Sequence, residues 1–226
     1  MLLDFCATYP NAKIRFYASD MILYVSSDAA YLVLPNAKSR IAGHYWLSNK
    51  IYNHPSITPP KKNGPIFTEC SGIKKTVGSA AEAETHALYK NGQNTIALRT
   101  ILHALKHPQP PTPIQTDNSV AYNFTTKNIK IKKSKAWDMN YHWLRDRETH
   151  KELMFYWDKG TNNTADYFSR HHPPTHHKKM RPNYILKKIL MKLAPPSLGR
   201  ERGCIHPHDD RHSRLNSVTN EYPQRS

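Results

Sequence analysis

The sequence has no run of about 18 apolar residues long enough to cross a bilayer as a helix. Its opening, MLLDFCATYP, lacks the charged and long apolar regions of a secretory leader. Cysteine is scarce: Cys6, Cys70 and Cys204 are isolated and none stands in a CxxC pair. Neither a disulfide framework nor a zinc knuckle is therefore indicated, and a reducing, intracellular setting, cytoplasmic or nuclear, fits. Glycine is also sparse, with 8 residues against 17 prolines, which favours long, stiff connections. Acids number 17 against 33 Lys and Arg, leaving a formal charge of +16. A positive field of that size selects a polyanionic partner, and with no membrane segment nucleic acid is favoured over a membrane surface. Internal repeats are absent.

A chain of 226 residues holds one domain of about 150 to 170 residues and a tail. Turn signals and hydrophobic periodicity place strands at 20–27, at Arg40 to Leu47, and after the Asn63-Gly64 turn, the last extending toward Val77. A helix follows over SAAEAETHALYKNGQNTIALRTILHALKH, with a break or kink expected at Asn91-Gly92. A short strand at Ile114 to Thr116, a short helix, a long amphipathic helix from Ser134 to Thr149, a strand at 152–157 and a helix from Asn162 to Arg170 complete the pattern. Three consecutive strands followed by βα units imply an α/β fold, with a mixed sheet that is antiparallel at its start and parallel later. Residues 173–226 change character: HHPPTHH reads as a solvated link, YILKKILMKL as a basic amphipathic stretch, and the remainder as a disordered basic tail.

Four carboxylates stand out against this basic background. Asp28 interrupts the first strand, either as a turn residue or polar bulge, or as a group with a cationic partner. In SAAEAETHAL, Glu82 sits three residues after Ser79 and completes a capping box. Glu84 instead shares a face with Ala80, Ala81, Ala87 and Leu88, the face that packs on a sheet unless the helix is rolled to bring Glu84 to solvent. Asp117 ends a strand just before a helix, where it serves either as N-cap or at the strand edge that gathers ligands. Asp166 lies in the first turn of the last helix, with Arg170 at i+4 available to pair with it. If the fold joins all four, their mutual repulsion calls for divalent cations. Two Mg²⁺ ions, with Mn²⁺ as a substitute, suit such hard-oxygen ligation and the hydrolysis of phosphodiesters.

The segments SSDAAYL, SRIAGHYWLSN, GSAAEAETHAL, PIQTDNSVA, SKAWDMNYHWLRDR and NNTADYFSRHHPPTHHKKMRP, in this order, resemble the ribonuclease H domain of copia-type LTR retrotransposon Pol polyproteins, over most of residues 15–186. Ser169-Arg170 stands where the family has a Thr-Lys pair. The resemblance implies a ribonuclease H-like fold, a five-stranded mixed sheet with flanking helices. It further implies two-metal cleavage of the RNA strand of an RNA:DNA hybrid, leaving 3′-hydroxyl and 5′-phosphate ends. It marks Asp28, Glu84, Asp117 and Asp166 as the catalytic, metal-binding acids. The histidine that many cellular ribonucleases H carry before their last helix has no counterpart in DKGTNNT. No protease, integrase or polymerase motif accompanies these segments. The expected organisation is therefore a fragment: 1–19 a remnant of a polymerase connection, 20–172 the ribonuclease H-like domain, and 173–226 the tail. The polymerase domain of a parent polyprotein is the expected protein partner.

On the substrate side, Lys127, Lys130, Lys132, Lys133 and Lys135 precede the long helix and are either phosphate contacts or an ordinary solvated basic loop. Trp137, Tyr141, Trp143 and Leu144 paint a broad apolar face and read as core. GCIHPHDDRH (203–212) has metal-ligand residue types but only one cysteine and no surrounding core. The alternative to a nuclease is a non-catalytic nucleic-acid-binding remnant.

Overall fold

A computed structural model of the chain describes residues 2–126 and 135–185. One sheet contains β1 (Ile22–Leu34), β2 (Lys38–Ser48), β3 (Pro65–Gly72), β4 (Thr112–Thr116) and β5 (Leu153–Trp157). The helices are α1 (Leu2–Thr8), α2 (Ala80–Ala104), α3 (Ser119–Thr126), α4 (Lys135–Thr149), α5 (Asp166–Ser169) and α6 (Pro174–Met180), with 3₁₀ turns at Gly160–Asn162 and Arg181–Asn183. The strand order is β3-β2-β1-β4-β5. The first three strands pair antiparallel, whereas β1 with β4 and β4 with β5 pair parallel. This is the α/β class expected above, a five-stranded mixed sheet with flanking helices, antiparallel at its start and parallel later.

Alternation along β1 assigns the two faces of the sheet. Leu23 and Val25, with Tyr45 and Leu47 opposite them on β2, Ile114 on β4 and Leu153 and Phe155 on β5, form a buried apolar layer with Leu88 and Leu102 of α2, Ala121 of α3 and Leu144 of α4. Helix α2 runs unbroken through Asn91-Gly92, contrary to the kink expected there. The reason is that both residues are consumed by packing. The Asn91 amide donates to Ser27 Oγ and to Ala42 O, each at 2.8 Å, while its Oδ1 accepts from Tyr45 Oη at 2.8 Å. A Cβ at Gly92 would lie 2.9 Å from the Trp143 ring, so its missing side chain lets α4 close on α2. Farther along, Arg99 reaches into the sheet end, donating to Pro110 O, Thr112 Oγ1 and Gln109 O.

On the other face, Ile22, Tyr24 and Trp46 form a small apolar cluster, and Ser26, His44 and Gln115 continue it as a buried polar layer. Thr164 and the rings of Phe168 and Tyr184 lie against His44. Tyr184 Oη donates to Thr164 O at 2.7 Å. Residues 173–185 therefore differ from the expected solvated link and disordered tail, because PTHHKKM forms α6 and the turn after it carries Tyr184 onto the sheet. Proline at the first helical turn starts α6, and stacking of His172 on His176, with ring centroids 4.1 Å apart, holds its entry. The last helix is also shorter than expected: α5 spans only four residues, preceded by the 3₁₀ turn, instead of running from Asn162 to Arg170.

The segment at 10–20 is clamped by Asn63, whose side chain bonds both Tyr17 N and Tyr17 O, at 2.8 and 2.9 Å, and reaches Leu47 O. Gly64 is required beside it, since a Cβ would meet Arg15 O at 2.8 Å. The strand expected to reach Val77 stops at Gly72. Residues 186–226, with GCIHPHDDRH and most of YILKKILMKL, lie outside the described residues.

Candidate active site

Where β1 outruns β4, the sheet opens a gap. The two strands pair only at Val25–Ile114 and Ser26–Gln115, and β4 ends at Thr116. Beyond Ser26, β1 has no β4 neighbour, and Asp28 and Ala29 line the opening. Glu84, in the second turn of α2, takes up the Ala29 N–H through Oε1 at 3.2 Å. Asp28 thus lies within the strand and not at a turn, paired across from Ala42.

Ser79 caps α2 as expected, accepting from Glu82 N at 3.1 Å, although Glu82 Oε2 reaches Gly78 N and not the Ser79 N–H. The buried stripe beside Glu84 is Ala83, Ala87 and Leu88, whereas Ala80 is exposed and Ala81 half-buried, so the packing face is rotated from the one read off the sequence. Glu84 nevertheless points inward and is 5% exposed.

Asp117 follows β4 directly. Its neighbour Asn118 caps α3, accepting from Val120 N and Ala121 N at 3.0 Å each, and leaves the Asp117 carboxylate free of the N-cap duty. Gly160 lies against it, and a Cβ there would come within 2.7 Å of Asp117 Oδ2. Asn163 positions the last acid: its amide donates to Ser27 O at 2.9 Å while its Oδ1 accepts from Ala165 N, tying the start of α5 to β1.

The structure brings three of the four acids into one group. Asp28, Glu84 and Asp117 each offer a carboxylate oxygen within 4.8 Å of the others. Asp166 stands outside this group, with Oδ1 2.6 Å from Arg170 Nη2 in the i, i+4 ion pair that its spacing allowed. Its charge still reaches the cluster. Burial pushes the Asp28 carboxyl up to about 7; the Ser169 hydroxyl and Arg170 oppose this, and Asp117 and Asp166 add to it. Burial raises Glu84 well above the usual carboxylate range, reinforced by Asp28 and Asp117. Asp117 is raised as well, again by burial first and then by Asp166.

These shifts describe a site short of positive charge. Asp28 Oδ2 and Glu84 Oε2 are buried and have no hydrogen-bond partner. Unsatisfied buried carboxylate oxygens are costly, and convergent oxygens of this kind fit a hard divalent cation. The donor set of Asp28, Glu84 and Asp117 is therefore chemically suited to a divalent cation, whereas Asp166 is held by Arg170.

Of the expected nucleic-acid contacts, Lys127, Lys130, Lys132 and Lys133 lie outside the described residues, and Lys135 opens α4 with its side chain likewise outside them. Tyr141 and Leu144 are buried as expected, and Trp143 packs edge-on against Tyr89. Sequence reading missed Asn163, Gly160 and Ser169. Asn163 alone left a trace, as one of two consecutive asparagines ahead of a short helix.

No family model and no curated protein matches the chain. Among solved structures it is similar to the N-terminal RNase H domain of a Mycobacterium tuberculosis protein, with TM-score 0.46 and 12% identity over 66% of this chain and 91% of that one. LC11-RNase H1 in complex with an RNA/DNA hybrid gives TM-score 0.45 and 13% identity over 65% and 92%. The protease-reverse transcriptase of prototype foamy virus gives TM-score 0.45 and 12% identity over 74% of this chain and 20% of that one.

Proposed function

We propose that the chain is a divalent-cation-dependent ribonuclease H, derived from a copia-type retrotransposon Pol polyprotein, that hydrolyses the RNA strand of RNA:DNA hybrids. One observation carries this reading: three acids from β1, α2 and the end of β4, two of them buried and Asp117 half-buried, converge within 4.8 Å, and the two buried ones keep an unpartnered oxygen. Asp28, Glu84 and Asp117 hold the cations, Mg²⁺ or Mn²⁺, and Asp166 joins them from α5. When bound, the ions activate water and stabilise the leaving oxygen of a phosphodiester.

The chain's own residues supply the framework. The Ala29 N–H fixes one oxygen of Glu84 and leaves the other toward the site. Asn163 ties the start of α5, which carries Asp166, to β1. The basic loop with Lys127, Lys130, Lys132, Lys133 and Lys135 grips the phosphates of the hybrid, in keeping with the charge of +16. Residues 1–19 are the end of a polymerase connection, and a polymerase domain is the natural partner.

The test is purified protein with an end-labelled hybrid and Mg²⁺, beside Asp117→Asn. Cleavage of the RNA strand by the parent, and a loss of roughly a hundredfold or more in the variant, is expected, since even outer-shell partners of metal sites are worth 10–100-fold. No cleavage, or equal cleavage by both proteins, overturns the reading. The Arg170–Asp166 pair favours a second reading, in which the chain's own guanidinium balances the acids and the protein only binds nucleic acid. That reading expects salt-sensitive binding to the hybrid without turnover.

A further inference from the structure

Gly160 touches the acid cluster without offering it an atom that could hold a cation. It lies exposed in the 3₁₀ turn between β5 and α5, and a Cβ there would stand 2.7 Å from Asp117 Oδ2 and 3.6 Å from Asp117 Cγ. Turns often need glycine for a left-handed φ, but no described glycine of this chain has one. The backbone at 160 therefore accepts an L side chain, and it is the Asp117 carboxylate that leaves no room for one.

The backbone is pinned on both sides of this contact. The Trp157 indole N–H donates to Asp117 O at 2.9 Å and Asp158 N donates to Thr116 O at 3.1 Å, which ties the end of β4 to the end of β5. The turn closes on itself as well: the Asp158 carboxylate accepts from Lys159 N at 2.7 Å and from the Asn162 amide at 3.2 and 3.1 Å, and the Asn163 amide anchors the turn to Ser27 O. The soft coordinate that remains is rotation of the Asp117 side chain. A methyl group at 160 would have to drive Oδ2 from 2.7 Å to an ordinary contact of 3.4 Å, a shift of about 0.7 Å. That exceeds the ~0.5 Å within which a functional constellation must be held. We infer that Gly160 is a positioning residue: its missing side chain leaves the space in which the Asp117 carboxylate joins Asp28 and Glu84. The inference rests on the cation-holding part of the proposed function and separates the placing of the acids from the stability of the fold.

Gly160→Ala in the full chain tests it. A crystal structure of the variant grown in EDTA should show the Asp117 carboxylate turned out of the group while the turn keeps its hydrogen bonds. The urea midpoint should stay that of the parent, because the substituted position is exposed and the displaced atom is the free end of a side chain. Calorimetric titration with Mn²⁺ should then give an affinity roughly 10–100-fold below the parent's, the loss usual for residues that orient the ligands of a metal. Thr161→Ala, an exposed change in the same turn, should leave the Mn²⁺ affinity unaltered. The assignment falls if Asp117 keeps its place beside Asp28 and Glu84 in the variant, or if the turn gives way instead. It falls equally if parent and variant bind Mn²⁺ with the same affinity, or if the urea midpoint drops along with the affinity, as a role in folding alone would require. A parent that binds no Mn²⁺ at all defeats the cation reading of the cluster, and the crystal structure still decides whether Gly160 places Asp117.

Discussion

The two faces of the sheet are covered in opposite ways. Against α2 the layer is apolar, from Leu23, Val25 and Ile114 below to Leu88 and Leu102 above, with Asn91 as the polar staple between sheet and helix. Against α5 and the segment to Tyr184 it is polar, with Ser26, His44, Gln115 and Thr164 hydrogen-bonded beneath a few rings. The first face resists change through packing; the second depends on how its hydrogen bonds close. Leu88→Ala, at a fully buried position on the first face, should therefore have the largest stability effect, about 2–5 kcal/mol. Urea denaturation measures it, and a loss under about 1 kcal/mol would mean that α2 is not the main cover of the sheet.

The next effect comes from the seam between the faces, where Glu84 of α2 meets Asp28 and Asp117. A carboxyl raised by folding adds stability that is complete below its unfolded value, near 4, and is lost as pH climbs through its folded value, about 7 for Asp28. Without divalent ions, the protein should lose stability between pH 4 and 7 by up to about 4 kcal/mol from this group alone. Glu84 and Asp117 act in the same direction, with Asp166 adding to the repulsion and Ser169 and Arg170 opposing it. In chelator at pH 8, Asp28→Asn should accordingly melt higher than the parent, and Mg²⁺ should raise the parent more than the variant. Thermal melts at pH 5 and 8 decide the matter: if parent and variant keep the same difference at both, the acids are not the strained group.

This division explains what could be read in advance. The α2 face was legible because strands of period two and a long helix leave a pattern in the order of residues, and Glu84 was visible as a carboxylate among alanines. Even there the rotation of α2 was misjudged, since Ala80 and Ala83 are equally small and only packing against Ile41 and Ile73 distinguishes them. The expected kink at Asn91-Gly92 failed for a related reason: local propensity disfavours the pair, but buried bonds to Ala42 and Ser27 outweigh it. The polar face left no periodic trace. Its lid, from Asn163 to Tyr184, is made of short turns whose worth lies in single long-range bonds to β1 and β2. The convergence of all four acids was inferred from residue order and family resemblance; the structure joins Asp28, Glu84 and Asp117 and leaves Asp166 on Arg170, a pairing visible in their i, i+4 spacing.

A smaller effect tests the lid. Tyr184→Phe removes the bond to Thr164 O but keeps the ring against His44, Phe168 and Tyr167. A loss of about 1 kcal/mol is expected, the usual net worth of one such bond. Ending the chain after residue 172 removes the ring as well and should cost more. If the shortened chain is as stable as the parent in urea, residues 173–185 do not belong to the folded unit.

The smallest effect is the sharpest contrast. Gln115 is buried at the centre of the polar face, and its Oε1 accepts from Ser26 Oγ at 2.9 Å while its Nε2 has no partner. An orphaned donor in the interior offsets much of what the accepted bond contributes. Gln115→Leu alone takes the acceptor from the Ser26 O–H, which keeps only the bond it accepts from Thr164 Oγ1, and should cost about 1 kcal/mol. Adding Ser26→Ala removes both members of the bond together with the orphan, at nearly constant shape, and leaves Thr164 Oγ1 with His44 Nδ1 as its partner, so it should bring stability back to within about 0.5 kcal/mol of the parent. Removing as many atoms from the α2 face would cost several times as much, because there each deleted methyl group leaves a cavity. The urea midpoints of the two single variants and the double variant form the cycle that decides it. A double variant weaker than either single would show that the bond Ser26 accepts from Thr164 outweighs the one it gives to Gln115, and that the polar face is as tightly determined as the apolar one.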